Sequence, residues 1–223
     1  MAAEVRSELE LRLPSDLPHR EAVIEGAARH LELIEATNRQ FNLTRITSPS
    51  DAVIKHVLDS VLPWRLFREA RHVLDAGSGA GFPGIPLSLA LPQVRFTLAE
   101  SVQKKARFIQ SAVEALGLRN VEVLPVRAED YLKSASPDIL TARAVAPVER
   151  AVALFGAAMR KGTRLLLYKG PDADAEIGDA ARELIKARAR ASVAMRYELP
   201  EGLGSRTVVE VTSSAPGAAA GSR

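Results

Sequence analysis

Cysteine is absent from the 223 residues, and with it go disulfides, thiolate zinc sites and any thiol nucleophile. Histidine is nearly as scarce: four, scattered, leave little from which to build a metal centre, and none is expected. No window approaches the roughly 18 consecutive apolar residues of a membrane span. The first thirty residues carry charges throughout where a secretory leader needs an apolar core, so the expected address is cytoplasmic, with no membrane partner. Asn42-Leu43-Thr44 fits the glycosylation pattern, but without a secretory route the match carries no weight. Aromatics are few at 4%, yet 47% of the residues are apolar, enough for one substantial core. A formal net charge of +3 permits a nucleic-acid partner without demanding one.

Three stretches differ in grammar. Residues 1–68 form an N-terminal helical segment: from 17 to 62 apolar positions recur near helical period, with Val23, Ala27, Leu31, Ile34 and Ala36 close to one face. Ser48-Pro49-Ser50-Asp51 then offers an N-cap serine, a proline at the first helical position and an acid at the third. Residues 69–212 alternate short β-rich runs (HVLDA, VRFTLAE, VEVLP, DILTAR, TRLLLYK) with amphipathic stretches, which predicts a doubly wound, mostly parallel α/β sheet. Within it Val102, Ala106, Ile109, Val113 and Leu116 lie on one helical stripe that stops at Gly117. A last pair of runs joined by EGLGS predicts an antiparallel hairpin closing the sheet, and residues 213–223 read as a disordered tail of small residues.

The glycine-rich stretch VLDAGSGAGFPG, residues 73–84, follows the first strand. Gly79, Gly81 and Gly84 satisfy the dinucleotide fingerprint, which alone is a weak signal. Pro83 and Pro86 each delete a backbone N–H from the turn that a pyrophosphate would need, so a ligand without phosphate fits better. Asp75 followed by Gly77, Ser78, Gly79 and Gly81 is the pattern of S-adenosylmethionine sites: bare backbone admits the aminoacyl end, and acids at strand ends suit its ammonium and ribose hydroxyls. Glu100, with Ser101 beside it, closes the second strand where a ribose-binding carboxylate belongs. Ala128-Glu129-Asp130 puts acids after the third strand, where an adenine amino group could be met. A purely structural turn with solvated acids, or an NAD site, competes with this reading.

Lys104, Lys105 and Arg107 fall in the first turns of their helix, where positive charge opposes the macrodipole by about 0.3–1 kcal/mol each. A nearby anion would resolve that conflict; a solvated basic face is the alternative. The run from Asp172 to Arg190, acidic early and basic late, reads as one dipole-complemented helix. Arg143 and Lys169 end the fourth and fifth strands, the edge where open α/β sheets bind ligands. His56 and Asp59, three apart, could touch each other on their helix.

The ordered set FNLT, KHVLDS, VLDAGSGAGFPGIPL, ES..KKARF, RAED, ARAVAP and YKG, spanning Phe41 to Gly170, closely resembles the glucose-inhibited division protein B family of small-subunit (16S) ribosomal RNA guanine-N7 methyltransferases. The resemblance implies a class I methyltransferase (Rossmann-like) core, S-adenosylmethionine as donor and ribosomal RNA, or an assembling small subunit, as partner. It places Gly77, Phe82, Ala128, Glu129 and Arg143 on donor-binding positions, and Lys104, Arg143 and Lys169 in a basic patch around the site. The chemistry agrees. Pyrimidine C5 methylation by the usual covalent route needs a cysteine, and amino-group methyltransferases usually carry Asn/Asp-Pro-Pro-aromatic after the fourth strand, where Arg143-Ala-Val-Ala-Pro147 stands. Guanine N7 has a free in-plane lone pair, so no general base is expected and Arg143 is expected to orient donor or base. Three other readings stay open: a small-molecule methyl acceptor, a non-catalytic RNA-binding assembly factor, and an NAD oxidoreductase. A monomer is expected.

Overall fold

A computed structural model describes residues 2–46, 48–143 and 146–214. Two residues of the ARAVAP stretch and the tail from residue 215 onward lie outside the described residues.

Among the described residues four α-helices precede the sheet, α1 (Ala2–Arg12), α2 (Arg20–Asn38), α3 (Pro49–Ala52) and α4 (Asp59–Val61), with a π-helical segment, Val53–Leu58, joining the last two and a 3-10 turn, Trp64–Leu66, after them. The periodicity read over 17–62 does not reach α1, whose Val5 and Leu9, four apart, are buried on its inner face. On α2, Val23, Ala27, Leu31 and Ile34 are buried as the periodicity predicts, whereas Ala36 is exposed and Ile24 and His30 take up the rest of the inner face. Ser48 caps α3 as expected, its Oγ accepting the Asp51 N–H at 3.1 Å.

The core alternates β1 (His72–Ala76), α5 (Gly84–Ala90), β2 (Arg95–Ala99), α6 (Gln103–Ala115), β3 (Val121–Leu124), α7 (Ala128–Tyr131), β4 (Ile139–Arg143), α8 (Val148–Arg160) and β5 (Arg164–Lys169). There follow α9 (Ala173–Asp179), α10 (Ala181–Ala187), β6 (Ala189–Glu198) and β7 (Ser205–Ser213). All seven strands form one sheet in the order β3-β2-β1-β4-β5-β7-β6. β1 to β5 are parallel, and β7 runs antiparallel between β5 and β6. The strand order reverses beside β1, between β2 and β4, which makes the carboxyl edge there the place for a ligand.

Every residue of β1 is buried, as a strand covered on both faces must be. One face (Val73, Phe96, Leu98, Ile139, Leu166, Tyr168, Val208) packs on α1, α2, the π-helical segment and α6 through residues such as Leu9, Ile24, Ile54 and Ile109. The other (Leu74, Leu140, Leu165, Leu167, Val209, Val211) packs on α8 and α10 through Val152, Phe155, Met159 and Leu184.

On α6 the stripe Ala106, Ile109, Val113 is buried, but Val102 is 43% exposed because it stands before the helix as its cap. Gly117 takes φ 65° and lets Leu118 N–H reach back to Val113 O at 3.1 Å, the expected helix stop. The run from Asp172 to Arg190 is corrected: it is two helices broken at Ala180, Arg188 turns left-handed (φ 51°), and Arg190 already belongs to β6. The chain turns back at that point to become the edge strand beside β7, so the late basic residues do not complement one long helix.

Candidate functional site

The carboxyl ends of β1, β2 and β4 converge on the glycine turn. Gly77, Gly79 and Gly81 adopt φ of 72°, 62° and 96°, backbone open to glycine at no steric cost. Two acids hold this turn. Asp75, fully buried, accepts the Gly84 N–H at 2.9 Å through Oδ2, and Ser78 Oγ donates to the Asp75 carbonyl at 3.1 Å. The N–H opening α5 is thereby already occupied, in keeping with a turn not built for pyrophosphate. Glu100 accepts Gly79 N–H at 3.0 Å and Val102 N–H at 2.8 Å, one on each oxygen. Burial pushes the Asp75 carboxyl up to about 7, offset in part by the Gly84 bond. Its Oδ1 is buried with no partner among the described residues, an anomaly that asks for a donor.

Beside this turn lies a pocket of about 180 Å³ that gathers Gly77, Ser101, Ala128 and Glu129 with Arg127, Arg150 and Phe155. Four expected donor-binding residues thus line one pocket. Gly79, Gly81, Phe82, Ser78 and Glu100 build the turn next to it. Arg127 is the first residue of the RAED motif, which signals it locally; Arg150 and Phe155 arrive from α8 and carry no such signal.

Arg143 faces a second, larger cleft of about 690 Å³, bounded by Lys55, His56 and Asp59 on one side and by Tyr168, Lys169 and Arg206 on the other. Its Nη1 donates to Lys55 O at 2.8 Å and Asp59 Oδ2 at 3.2 Å, its Nη2 to His56 Nδ1 at 3.4 Å, and its guanidinium carbon lies 5.3 Å from the Phe82 ring centre. His56 also stacks ring on ring with Phe82, at 4.5 Å and 9°. Because guanidinium only donates, His56 Nδ1 must accept, and Nε2–H then donates to Thr44 Oγ1 at 3.0 Å. Burial first, then the Arg143 charge, lower His56 to about 3, so it is neutral at ordinary pH. His56 and Asp59 do not bond each other among the described residues; both meet at Arg143.

The π-helical stretch follows from these demands. Arg143 and Ser60 Oγ bond the carbonyls of Lys55 and His56, Tyr197 OH donates to Asp59 O at 3.1 Å and to Asp59 Oδ1 at 2.9 Å, and Tyr168 OH donates to Ser60 O at 2.8 Å. Side chains inserted into a helical ladder widen it, a feature that recurs at functional sites. Arg143 takes a carbonyl inside the distorted stretch 53–58, Tyr168 and Tyr197 hold the turn that follows it, and no local pattern announces either.

The expected basic residues part company. Lys104 is exposed with its Nζ 5.0 Å from the Phe41 ring centre, Arg107 is exposed and Lys105 half-buried. Lys169 turns inward: its side chain is 9% exposed, bonded to Ala146 O and 2.8 Å from Glu176 Oε2. His30, which the sequence pattern does not single out, is fully buried, bonds Ala80 O at 2.9 Å through Nε2, and packs between Phe82 and Phe108. No cluster of residues able to hold a metal occurs among the described residues, and none of their helices is long and apolar enough to cross a membrane.

A family model described as rRNA small subunit methyltransferase G (GidB) matches residues 23–199. The chain belongs to that family. A ribosomal RNA small subunit methyltransferase G of Solibacter usitatus (strain Ellin6076) is 66% identical over 92% of this chain and 97% of its own length. Its counterpart in Roseiflexus castenholzii (strain DSM 13941 / HLO8) is 38% identical over 88% and 86%. Among solved structures, a precorrin-6y C5,15-methyltransferase of Geobacter metallireducens covers 82% of this chain and 98% of its own at 17% identity, TM-score 0.54. The O-methyltransferase TomG of Streptomyces achromogenes, in complex with SAM, covers 83% and 90% at 18% identity, TM-score 0.55. The fold is accordingly that of the class I methyltransferases: a mostly parallel seven-stranded sheet with antiparallel end strands.

Proposed function

We propose that the protein transfers the methyl group of S-adenosylmethionine to N7 of a guanine in small-subunit ribosomal RNA, acting as a monomer in the cytoplasm. The residues present suit that donor. The orphaned Asp75 Oδ1 is the natural partner of its ammonium. A Cβ at Gly79 would meet nothing nearer than Gly77 O at 4.0 Å, so the turn leaves open space where the ligand backbone would lie. Each Glu100 oxygen keeps a second lone pair for a ribose hydroxyl. When bound, S-adenosylmethionine supplies an electrophilic methyl on a cationic sulfur.

The observation that carries the guanine-N7 reading is the state of His56. It is neutral, and both its ring nitrogens are engaged by Arg143 and Thr44, so the histidine in the cleft has no lone pair free to take a proton. N7 needs no deprotonation; the protein's task is to align it at roughly 3–3.5 Å from the methyl carbon. Arg143, anchored on Lys55 O and Asp59 and lying over Phe82, keeps Nε–H and one Nη2–H without partners among the described residues. These can orient the base through O6, since the familiar fork to both O6 and N7 would cover the attacking lone pair. The division at residue 68 is one of topology, because α1 and α2 share a core with the sheet.

The test is single-turnover methylation of small subunits and of naked ribosomal RNA from a strain lacking the gene, with mapping of the modified base. At saturating donor the rate stays level from pH 6 to 9. Arg143→Ala lowers that rate by about 10- to 100-fold through lost alignment, while His56→Ala acts more on RNA binding or stability. A rate climbing tenfold per pH unit, with the climb removed in His56→Ala, would make His56 a general base and sink the base-free reading. RNA binding without methyl transfer would favour an assembly factor.

A further inference from the structure

The 690 Å³ cleft is lined by four cations, Lys55, Arg143, Lys169 and Arg206, against two carboxylates, Asp59 and Glu176. Both carboxylates are engaged. Asp59 takes Arg143 and Tyr197, and Glu176 takes Lys169 and the Val148 N–H at 3.0 Å. Two of the cations are committed with them: the Arg143 side chain is 16% exposed and that of Lys169 9%. The other two are free to change partner. Lys55, 30% exposed, pairs at 3.0 Å with Asp51, which is itself open to solvent, and such surface pairs exchange readily. Arg206, 27% exposed, stands 3.7 Å from Asp59 Oδ1, too long for a hydrogen bond, with Nη1 on Ser205 O and no partner for Nη2 among the described residues. Between these walls Ile46, Pro147 and Tyr168 offer apolar surface, and Ala146 lines both this cleft and the donor pocket.

We propose that this cleft seats the acceptor guanine nucleotide, and that Lys55 from the π-helical segment and Arg206 from β7 hold the phosphates flanking it. The inference rests on the guanine-N7 reading and extends it to named residues. A cleft with surplus positive charge, apolar surface for a base and a shared wall with the donor pocket has the chemistry of a single-stranded RNA nucleotide splayed from its neighbours. Lys55 and Arg206 lie far apart in the chain, so the grip depends on the bonds by which Arg143, Tyr168 and Tyr197 lock the stretch from Lys55 to Ser60 to the sheet.

The experiment has two arms, both with S-adenosylhomocysteine affinity and thermal melting as controls for folding. In the first, guanosine 3′,5′-bisphosphate binding to the full chain is measured by calorimetry. Lys55→Gln and Arg206→Gln each weaken it about tenfold or more, Arg206→Lys recovers part of the loss, and Arg160→Ala, an exposed cation at the end of α8, changes nothing. No binding by the unmodified protein, or equal binding by all variants, overturns the proposal. In the second, methylation of ribosomal RNA shows the half-saturating RNA concentration raised in Lys55→Gln and Arg206→Gln with the saturated rate kept, and the salt slope reduced by about 0.7 for each phosphate no longer neutralised. RNA methylation unaffected in both variants overturns the cleft assignment while leaving the guanine-N7 reading intact. Bisphosphate binding that depends on both residues, with no methylation of RNA by the unmodified protein, does the reverse.

Discussion

Asp75 carries two opposite pH dependences. Its folded carboxyl, raised to about 7, lies above the ordinary carboxylate range, so the native state binds this proton more tightly than the unfolded chain does. The resulting stability is complete below about pH 4 and is lost as pH rises through about 7. A ligand ammonium needs the charged form, so donor affinity moves the other way. S-adenosylhomocysteine should bind more weakly by about tenfold per pH unit below 7, and Asp75→Asn should both weaken binding at pH 8 and flatten that dependence. In melting experiments without ligand, the same variant should remove a decline in stability between about pH 4 and 7. Affinity that is level from about pH 5.5 to 8 would assign the ammonium to another residue. The sequence shows Asp75 as the acid before the glycines, but not that one of its oxygens is spent on Gly84 and the other left without a donor.

For α6, the question is whether its unfavourable charges serve a partner. Lys104 and Lys105 sit near an N-terminus whose Val102 N–H is already taken by Glu100. Lys104→Ala should weaken RNA binding and flatten its dependence on salt, by about 0.7–0.9 for each phosphate released from the lysine, with donor affinity barely changed. The same slope in the variant would make the face a merely solvated one. What could be read of such elements depended on where their causes lie. Ser48 and Gly117 are local signals, and both ends form as expected. Strand ends of a parallel sheet must gather at one edge, which is why Gly77, Ser101, Ala128 and Glu129 meet in one pocket. The π-helical segment and the inward turn of Lys169 carry no local signal, because the partners that meet them, Arg143 and Glu176, lie on other elements.

The whole molecule holds together through a core that crosses the boundary between the N-terminal helices and the sheet. Leu9 on α1 is fully buried and belongs to the same cluster as Val73 and Phe96. Leu9→Ala should therefore cost about 2–5 kcal/mol and lower a single cooperative transition, followed equally by circular dichroism and by tryptophan fluorescence from Trp64. Two separate transitions, with only the first shifted, would mean that the helical segment unfolds on its own.

The bonds from Tyr168 and Tyr197 to the helical turn around Asp59 and Ser60 join residues 108 and 138 positions apart. Synthesis runs from the amino end, and a contact can form only once its later partner has emerged. A nascent chain released only as far as β5 would already possess the glycine turn, the ends of β1, β2 and β4, and the bonds of Arg143 and Tyr168 to the opposite wall, yet would lack Tyr197 and Arg206. The cleft proposed for the acceptor is thus completed only once β6 and β7 have emerged.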